Sequence, residues 1–148
     1  MAQVLEAIIV TGKRTPIGSF QGSLANISAP KLGSIAIDSV LNESKIPTDR
    51  IDEVIMGCVL PAGLGQAPAR QAALFANLPI SVPCTTVNKV CGSGMQSVIL
   101  GAKSILTEDA NLVVAGGMEN MSIAPHLLPN SRNGFKFGET SINRIFKK

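Results

Sequence analysis

Tryptophan and tyrosine are absent from the 148 residues, and aromatic residues make up only 3% of the chain. Surfaces that stack nucleotide bases depend on aromatic side chains. The phenylalanines near the end, Phe135, Phe137 and Phe146, form no such motif, so no nucleic-acid partner is expected. Histidine occurs once, at His126, and the three cysteines, Cys58, Cys84 and Cys91, form no CxxC pair. One histidine with scattered cysteines does not make a zinc site, so no metal is expected. An odd cysteine count does not make a disulfide framework either. Long apolar runs are also lacking. The longest candidate, Val98 to Leu106, is broken by Gly101, Lys103 and Ser104. It is far short of the roughly 20 residues of a membrane span, so no membrane partner is expected.

Charge is sparse as well, at 16% of residues, with a net charge of +3. That is too little for a coiled coil, and 45% apolar content is too much for disorder. The 14 glycines follow no strict period, which excludes a collagen-like chain. What remains is an ordinary globular class. The length suits one domain of about 100–150 residues. A chain of this size buries roughly two-thirds of its unfolded surface.

The excess positive charge is uneven. From Asn130 onward Arg132, Lys136, Arg144, Lys147 and Lys148 face a single acid, Glu139. RNA, anionic lipid or a phosphorylated ligand would suit such an end, but a solvated basic surface is the favoured reading. The start, Met1 to Glu6, has no basic region and no cleavage pattern, so a signal peptide is not expected. The triplets at Asn26, Asn42 and Asn120 that match glycosylation acceptors are then chance matches. A reducing, cytoplasmic setting is the expectation.

Along the chain, short buried-type runs alternate with helical periodicity. Glu6 to Thr11 contains Ala7-Ile8-Ile9-Val10 and reads as a strand with a central place in a sheet. A Gly-, Ser- and Pro-rich loop follows to Ser28. Ser28 and Pro30 mark a helix start, with Leu32, Ile35, Ala36 and Val40 at helical spacing to about Ser44. Val54 to Val59 is a second strand. The segment from Gly63 to Pro68 opens a helix through Asn77, with Ala69, Ala72, Ala73 and Ala76 as a small face for close packing. Cys84 to Asn88 is a short strand. A helix after Cys91 carries its apolar side chains at Met95, Val98, Ile99, Ala102, Ile105 and Leu106. Asn111 to Gly117 is the last strand. The order βαβαβαβ predicts α/β layering around a largely parallel sheet. Past Gly117 no long periodic element is expected.

The candidate chemical residue is Cys91, between a strand and a helix. A thiol at a helix N-terminus meets unsatisfied N–H groups and the positive end of the macrodipole. Such placement can lower a thiol pKa from about 8.5 into the range of about 3.5–7.5. Gly92 and Gly94 clear the approach for a substrate carbonyl, and turn N–H groups would face a developing oxyanion. On position alone Cys91 is either a nucleophile or a small buried core residue. Cys58 and Cys84 read as core packing, and His126 as a surface or packing residue. Gly63-Leu64-Gly65 is not a dinucleotide loop, because Pro68 stands at its third position. Gly116-Gly117-Met118-Glu119 at a strand end reads as an active-site wall.

Four blocks in order resemble the thiolase family of acetyl-CoA acetyltransferases and 3-ketoacyl-CoA thiolases. They are Arg14-Thr15-Pro16-Ile17-Gly18, Gly63 to Gln71, Val87 to Met95 around Cys91, and Val114 to Ser122. The Asn-Lys-Val-Cys-Gly-Ser-Gly and Gly-Gly-Met-Glu spellings point to thiolases rather than the related ketoacyl synthases. The resemblance implies a thiolase-like α/β fold, with residues 1–118 as an N-terminal layered half and 119–148 as the beginning of a loop domain. It implies Cys91 as the residue that takes an acyl group from acyl-CoA. Claisen condensation with acetyl-CoA follows, or thiolytic cleavage of a 3-ketoacyl-CoA in reverse. Coenzyme A thioesters are then substrates, no bound cofactor is needed, and no coenzyme-binding residue is singled out. The family's later motifs, an activating His, an Asn-Glu-Ala-Phe loop and a second acid–base Cys, do not occur after Met118. The chain alone is therefore not expected to run the condensation. Homo-oligomerisation, as dimer or tetramer, or a complementary C-terminal polypeptide is implied. The alternative is a non-catalytic thiolase-like fragment serving as an assembly or regulatory module.

Overall fold

The computed structural model describes residues 6–135 and 137–145. The expectations for Met1 to Leu5, Lys136, Phe146, Lys147 and Lys148 lie outside the described residues.

Helix α1 spans Ala29–Ser44, with Pro30 in its first turn and Ser28 extended before it. Proline fits there because its fixed φ suits the first turn and its missing N–H would be unbonded anyway. Lys45, in the left-handed region at φ 55°, ends the helix and returns its N–H to the Leu41 carbonyl. The buried row is Ala29, Gly33, Ile37 and Leu41, every fourth residue, whereas Ile35 is exposed. The stripe expected from Leu32, Ile35, Ala36 and Val40 is thus offset. Gly33 sits against Ala72 and Met118, where a larger side chain would not fit.

Strand β1 is Glu53–Gly57, helix α2 Pro68–Phe75, strand β2 Cys84–Val87, helix α3 Ser93–Leu106 and strand β3 Val113–Gly117. The strands form one parallel three-stranded sheet in the order β2-β1-β3. Val54 pairs with both Cys84 and Val114. Central β1 is buried on both faces, as an apolar run in a parallel sheet should be. Val54, Met56 and Cys58 join the core formed with α1 and α2. The alanines of α2, at positions 69, 72, 73 and 76, are all buried there. Gly57 faces α3 on the other side. The result is the expected α/β layering around a parallel sheet.

Two further expectations fail. Ala7 to Val10 is not a central strand: no strand is assigned there, and Ile8 and Ile9 are 74% and 80% exposed. A strand needs a partner's backbone, and no described segment pairs with this one. The apolar stripe of α3 does not face the sheet either. Ser93, Ser97 and Gly101 are its buried residues, while Met95, Val98, Ile99 and Leu106 are exposed. Close approach explains this: a Cβ on Gly101 would lie 3.1 Å from Val113 Cγ1. The small face packs tightly and the large side chains are left outside.

Beyond Gly117 the expected lack of long elements holds. Two-residue strands β4 (His126–Leu127) and β5 (Asn143–Arg144) pair antiparallel around a single 3-10 turn at Ser131–Asn133.

Candidate active site

The three strands of the sheet deliver their C-terminal ends to one corner, and α3 begins there. The approach is backbone to backbone. A Cβ on Gly57 would lie 2.5 Å from the Ser93 carbonyl carbon and 2.6 Å from the Gly94 nitrogen. One on Gly117 would lie 3.1 Å from Gly94 Cα. Only hydrogen fits at Gly57, so its glycine allows the helix start to rest on β1. The Ser97 hydroxyl, fully buried, reaches the Gly116 carbonyl at 2.5 Å and the Gly94 carbonyl at 2.6 Å. It has one proton to donate, shared between these two acceptors.

Between β2 and α3 the chain makes a strained turn. Val90, directly before Cys91, has φ 49°. A β-branched residue in that region is a true outlier, and such strain costs about 1–3 kcal/mol. It persists only where the surroundings hold it. Asn88 Oδ1 accepts the Val90 N–H at 3.0 Å. Ser93 Oγ accepts the Lys89 N–H at 2.8 Å and donates to the Val90 carbonyl at 2.6 Å. The Gly92 and Ser93 N–H groups bond to the Lys89 and Val90 carbonyls. These two N–H groups are therefore engaged, which corrects, for them, the expectation that turn N–H groups face an oxyanion. Cys91 itself is exposed, so the reading as a small core residue does not hold. Lys89 Nζ donates to Gln96 Oε1 at 2.9 Å along the same surface.

Glu119 follows β3. Its carboxylate accepts the Val59 N–H at 2.7 Å and the Leu60 N–H at 3.1 Å. The sequence reading made Gly116 to Glu119 a wall and missed this clamp. The signal was there: an acid just past a glycine-ended strand faces the ends of its neighbours. Asn88 was likewise passed over, although a short amide just before a strained turn commonly bonds its own backbone.

Of Cys58, Cys84 and His126, only Cys58 touches this corner, its thiol donating to Glu119 Oε1 at 3.9 Å. Cys58 is buried, and burial, then the nearby Glu119 charge, pushes its thiol up to about 11. It stays a protonated core residue, as expected. Cys84 is half-buried, with its sulfur 3.4 Å from the Val82 carbonyl and next to Arg70. His126 is exposed on β4, paired in register with Arg144. Among the described residues no group of three or more His, Cys, Asp or Glu is placed to hold a metal. None of their helices is long and apolar enough to cross a membrane. A cavity of about 510 Å³ lies between the first loop, Arg14 to Phe20, and Glu119 to Ser122, and Cys91 does not line it.

The sequence model of the thiolase N-terminal domain matches residues 7–147. The chain belongs to the thiolase family. It is 53% identical over 137 residues to an acetyl-CoA acetyltransferase of Cupriavidus necator, covering 93% of this chain and 35% of that protein. It is 51% identical over 142 residues to a cytosolic acetyl-CoA acetyltransferase of Gibberella zeae, covering 96% and 36%. A mitochondrial acetyl-CoA acetyltransferase of Xenopus tropicalis is 50% identical over 143 residues, covering 97% and 34%. The chain thus spans about 35% of the length of these relatives. Within this thiolase domain the Asn88 to Gly94 spelling around Cys91 is the turn just described. The Gly63 to Gln71 block is the loop entering α2, where Gln71 Nε2 donates to the Leu64 and Gln66 carbonyls at 2.7 Å each.

Proposed function

We propose that this chain is the N-terminal part of a thiolase-type acyl-CoA:acetyl-CoA C-acyltransferase, and that Cys91 is its acyl acceptor. The observation that carries this is the placement of Cys91. It is the exposed cysteine of the chain, on the turn where the ends of all three sheet strands meet the start of α3. The proposed step is an even exchange. The Cys91 sulfur, without its proton, attacks the thioester carbonyl of acyl-CoA. The new C–S bond forms, the bond to the coenzyme A sulfur breaks, and coenzyme A leaves as its thiolate and takes up a proton. Exchange of one thioester for another is nearly isoenergetic, which suits sulfur. No bound cofactor enters; coenzyme A thioesters are substrates.

The condensation or thiolysis that follows needs further acid–base groups. We assign them to the remaining polypeptide of a full-length enzyme, supplied as a complementary chain or as its continuation. Residues 119–148 then begin the loop domain that follows the layered half, residues 1–118. Homo-oligomerisation and a cytoplasmic setting complete this reading; the cytosolic relative supports the setting alone. A second reading, a non-catalytic module that works only by docking, is favoured by one observation. The apolar residues Ile8, Ile9, Met95 and Ile99 stand exposed on the described surface. Isotope exchange separates the two. Labelled coenzyme A should enter acetyl-CoA in the presence of the chain, and Cys91→Ser should abolish this. No exchange above that of the variant favours the module.

A further inference from the structure

We propose that Asn88 and Glu119 are positioning residues for Cys91, acting through the peptide between Val59 and Leu60. The proposal rests on the reading of Cys91 as acyl acceptor and gives a role to Asn88 and Glu119, which the motif spellings contain but that chemistry does not assign. Leu60's N–H is held by Glu119 Oε1 at 3.1 Å, and Val59's own N–H by Oε2 at 2.7 Å. The carbonyl of the same peptide, on Val59, accepts from Asn88 Nδ2 at 3.2 Å. The other end of the Asn88 amide, Oδ1, accepts the N–H of Val90 at 3.0 Å. A continuous hydrogen-bonded path therefore runs from the end of β3, across the loop after β1, to the residue preceding Cys91.

Each member has its donors and acceptors used in one sense. A carboxylate only accepts, so Glu119 turns the peptide N–H toward itself and its carbonyl away. That carbonyl fixes which end of the Asn88 amide donates, and so leaves Oδ1 to face Val90. Bonds in such a chain polarise and reinforce one another. The far end needs that support, because Val90 is held at φ 49°. With its N–H acceptor gone, the turn keeps only the Ser93 and backbone bonds against relaxing toward ordinary backbone, and the next residue in line is Cys91. Glu119 is half-buried and anchored by two backbone donors, whereas Asn88 is exposed. The rigid end therefore sets the exposed one. The lever passes through a loop more than 25 positions away from Cys91, which is why spacing in the sequence does not reveal it.

A double-mutant cycle on the chain tests this. The rate of Cys91 alkylation by iodoacetamide at fixed pH is read by peptide mass for wild type, Asn88→Ala, Glu119→Ala and the double variant. Thermal melts confirm that each is folded. Each single change should slow Cys91 by about fivefold, the scale of one ordinary hydrogen bond. In the Asn88→Ala background, Glu119→Ala should add less than about twofold, because the path is already cut. Glu119→Gln keeps one acceptor oxygen and should give a smaller loss in the same direction; it decides the matter if Glu119→Ala does not fold. Additive losses, or folded single variants with unchanged rates, overturn the proposal. Acetyl transfer from acetyl-CoA is followed in parallel. Wild type that takes no acetyl group counts against the acyl-acceptor reading, while the alkylation cycle still decides the positioning role.

Discussion

Two apolar strand-like segments of this chain have opposite fates. Val54-Ile55-Met56 lies at the centre of the sheet, with each of its three residues at most 3% exposed. Ile8-Ile9-Val10 is as apolar, yet stands 65–80% exposed. Propensity does not separate them; partners do. The first has β2 on one side and β3 on the other, with α2 and α3 covering its faces. The second has no paired strand among the described residues. It is tied only near its end, where Thr11 Oγ1 donates to Glu43 Oε1 at 3.1 Å and Lys13 pairs with Glu43. An apolar run becomes a strand when another backbone completes its hydrogen bonds.

The largest effect that would sharpen this comparison is at Gly57. Gly57→Val puts side-chain carbon into the Ser93 backbone, where even a Cβ would stand at 2.5 Å. Neither backbone can yield cheaply, so the variant should show no cooperative melt by circular dichroism. Met56→Ala, at a site 2% exposed, should cost about 2–5 kcal/mol in urea unfolding. Acid supplies a third, more moderate effect. Asp52 accepts the Asn111 and Leu112 N–H groups at 2.7 and 3.0 Å, and these bonds hold its carboxyl below the ordinary 3.8. A depressed folded-state pKa contributes stability above the unfolded value and loses it as pH falls through the folded one. Melting temperature should therefore drop as pH goes below about 4, and Asp52→Asn should flatten that part of the curve. The smallest effect is at the other segment. Ile9→Ser should change stability by no more than about 0.5 kcal/mol, as at an ordinary surface site. It should also lower self-association in sedimentation. If Ile9→Ser costs as much as Met56→Ala, the two segments are not different in solution and the comparison fails.

Much of the fold was legible because its signals are local. Pro30 after Ser28, the alanines of α2 and the continuous run at Val54 each lead to the right element. The failures share one cause, which is that pattern does not say what lies opposite. Helix α3 shows it best. Its large side chains mark an amphipathic stripe, but the sheet takes Ser93, Ser97 and Gly101 because closeness wins there over hydrophobic area. Close packing of backbones maximises many small attractions that long side chains would prevent. At the corner, the place of Cys91 between β2 and α3 was legible from the sequence pattern. Val90's strain, the Ser93 clamp and the Glu119–Asn88 path were not, since each depends on backbone dihedrals or on loops far apart in sequence.

Two of the three cysteines extend the contrast into chemistry. Cys58 and Cys91 lie at ends of neighbouring elements, yet one thiol is buried and pushed up to about 11 while the other is exposed. With iodoacetamide at pH 8, Cys91 should be labelled and Cys58 should not.

The central claim is that Cys91 accepts the acyl group. The chain is incubated with acetyl-CoA and its intact mass and peptides are read. One acetyl group on the Cys91 peptide, absent from the Cys91→Ser protein, is the result expected. An unacetylated chain whose Cys91 is reduced and freely alkylated, or an acetyl group that persists in Cys91→Ser, would contradict it.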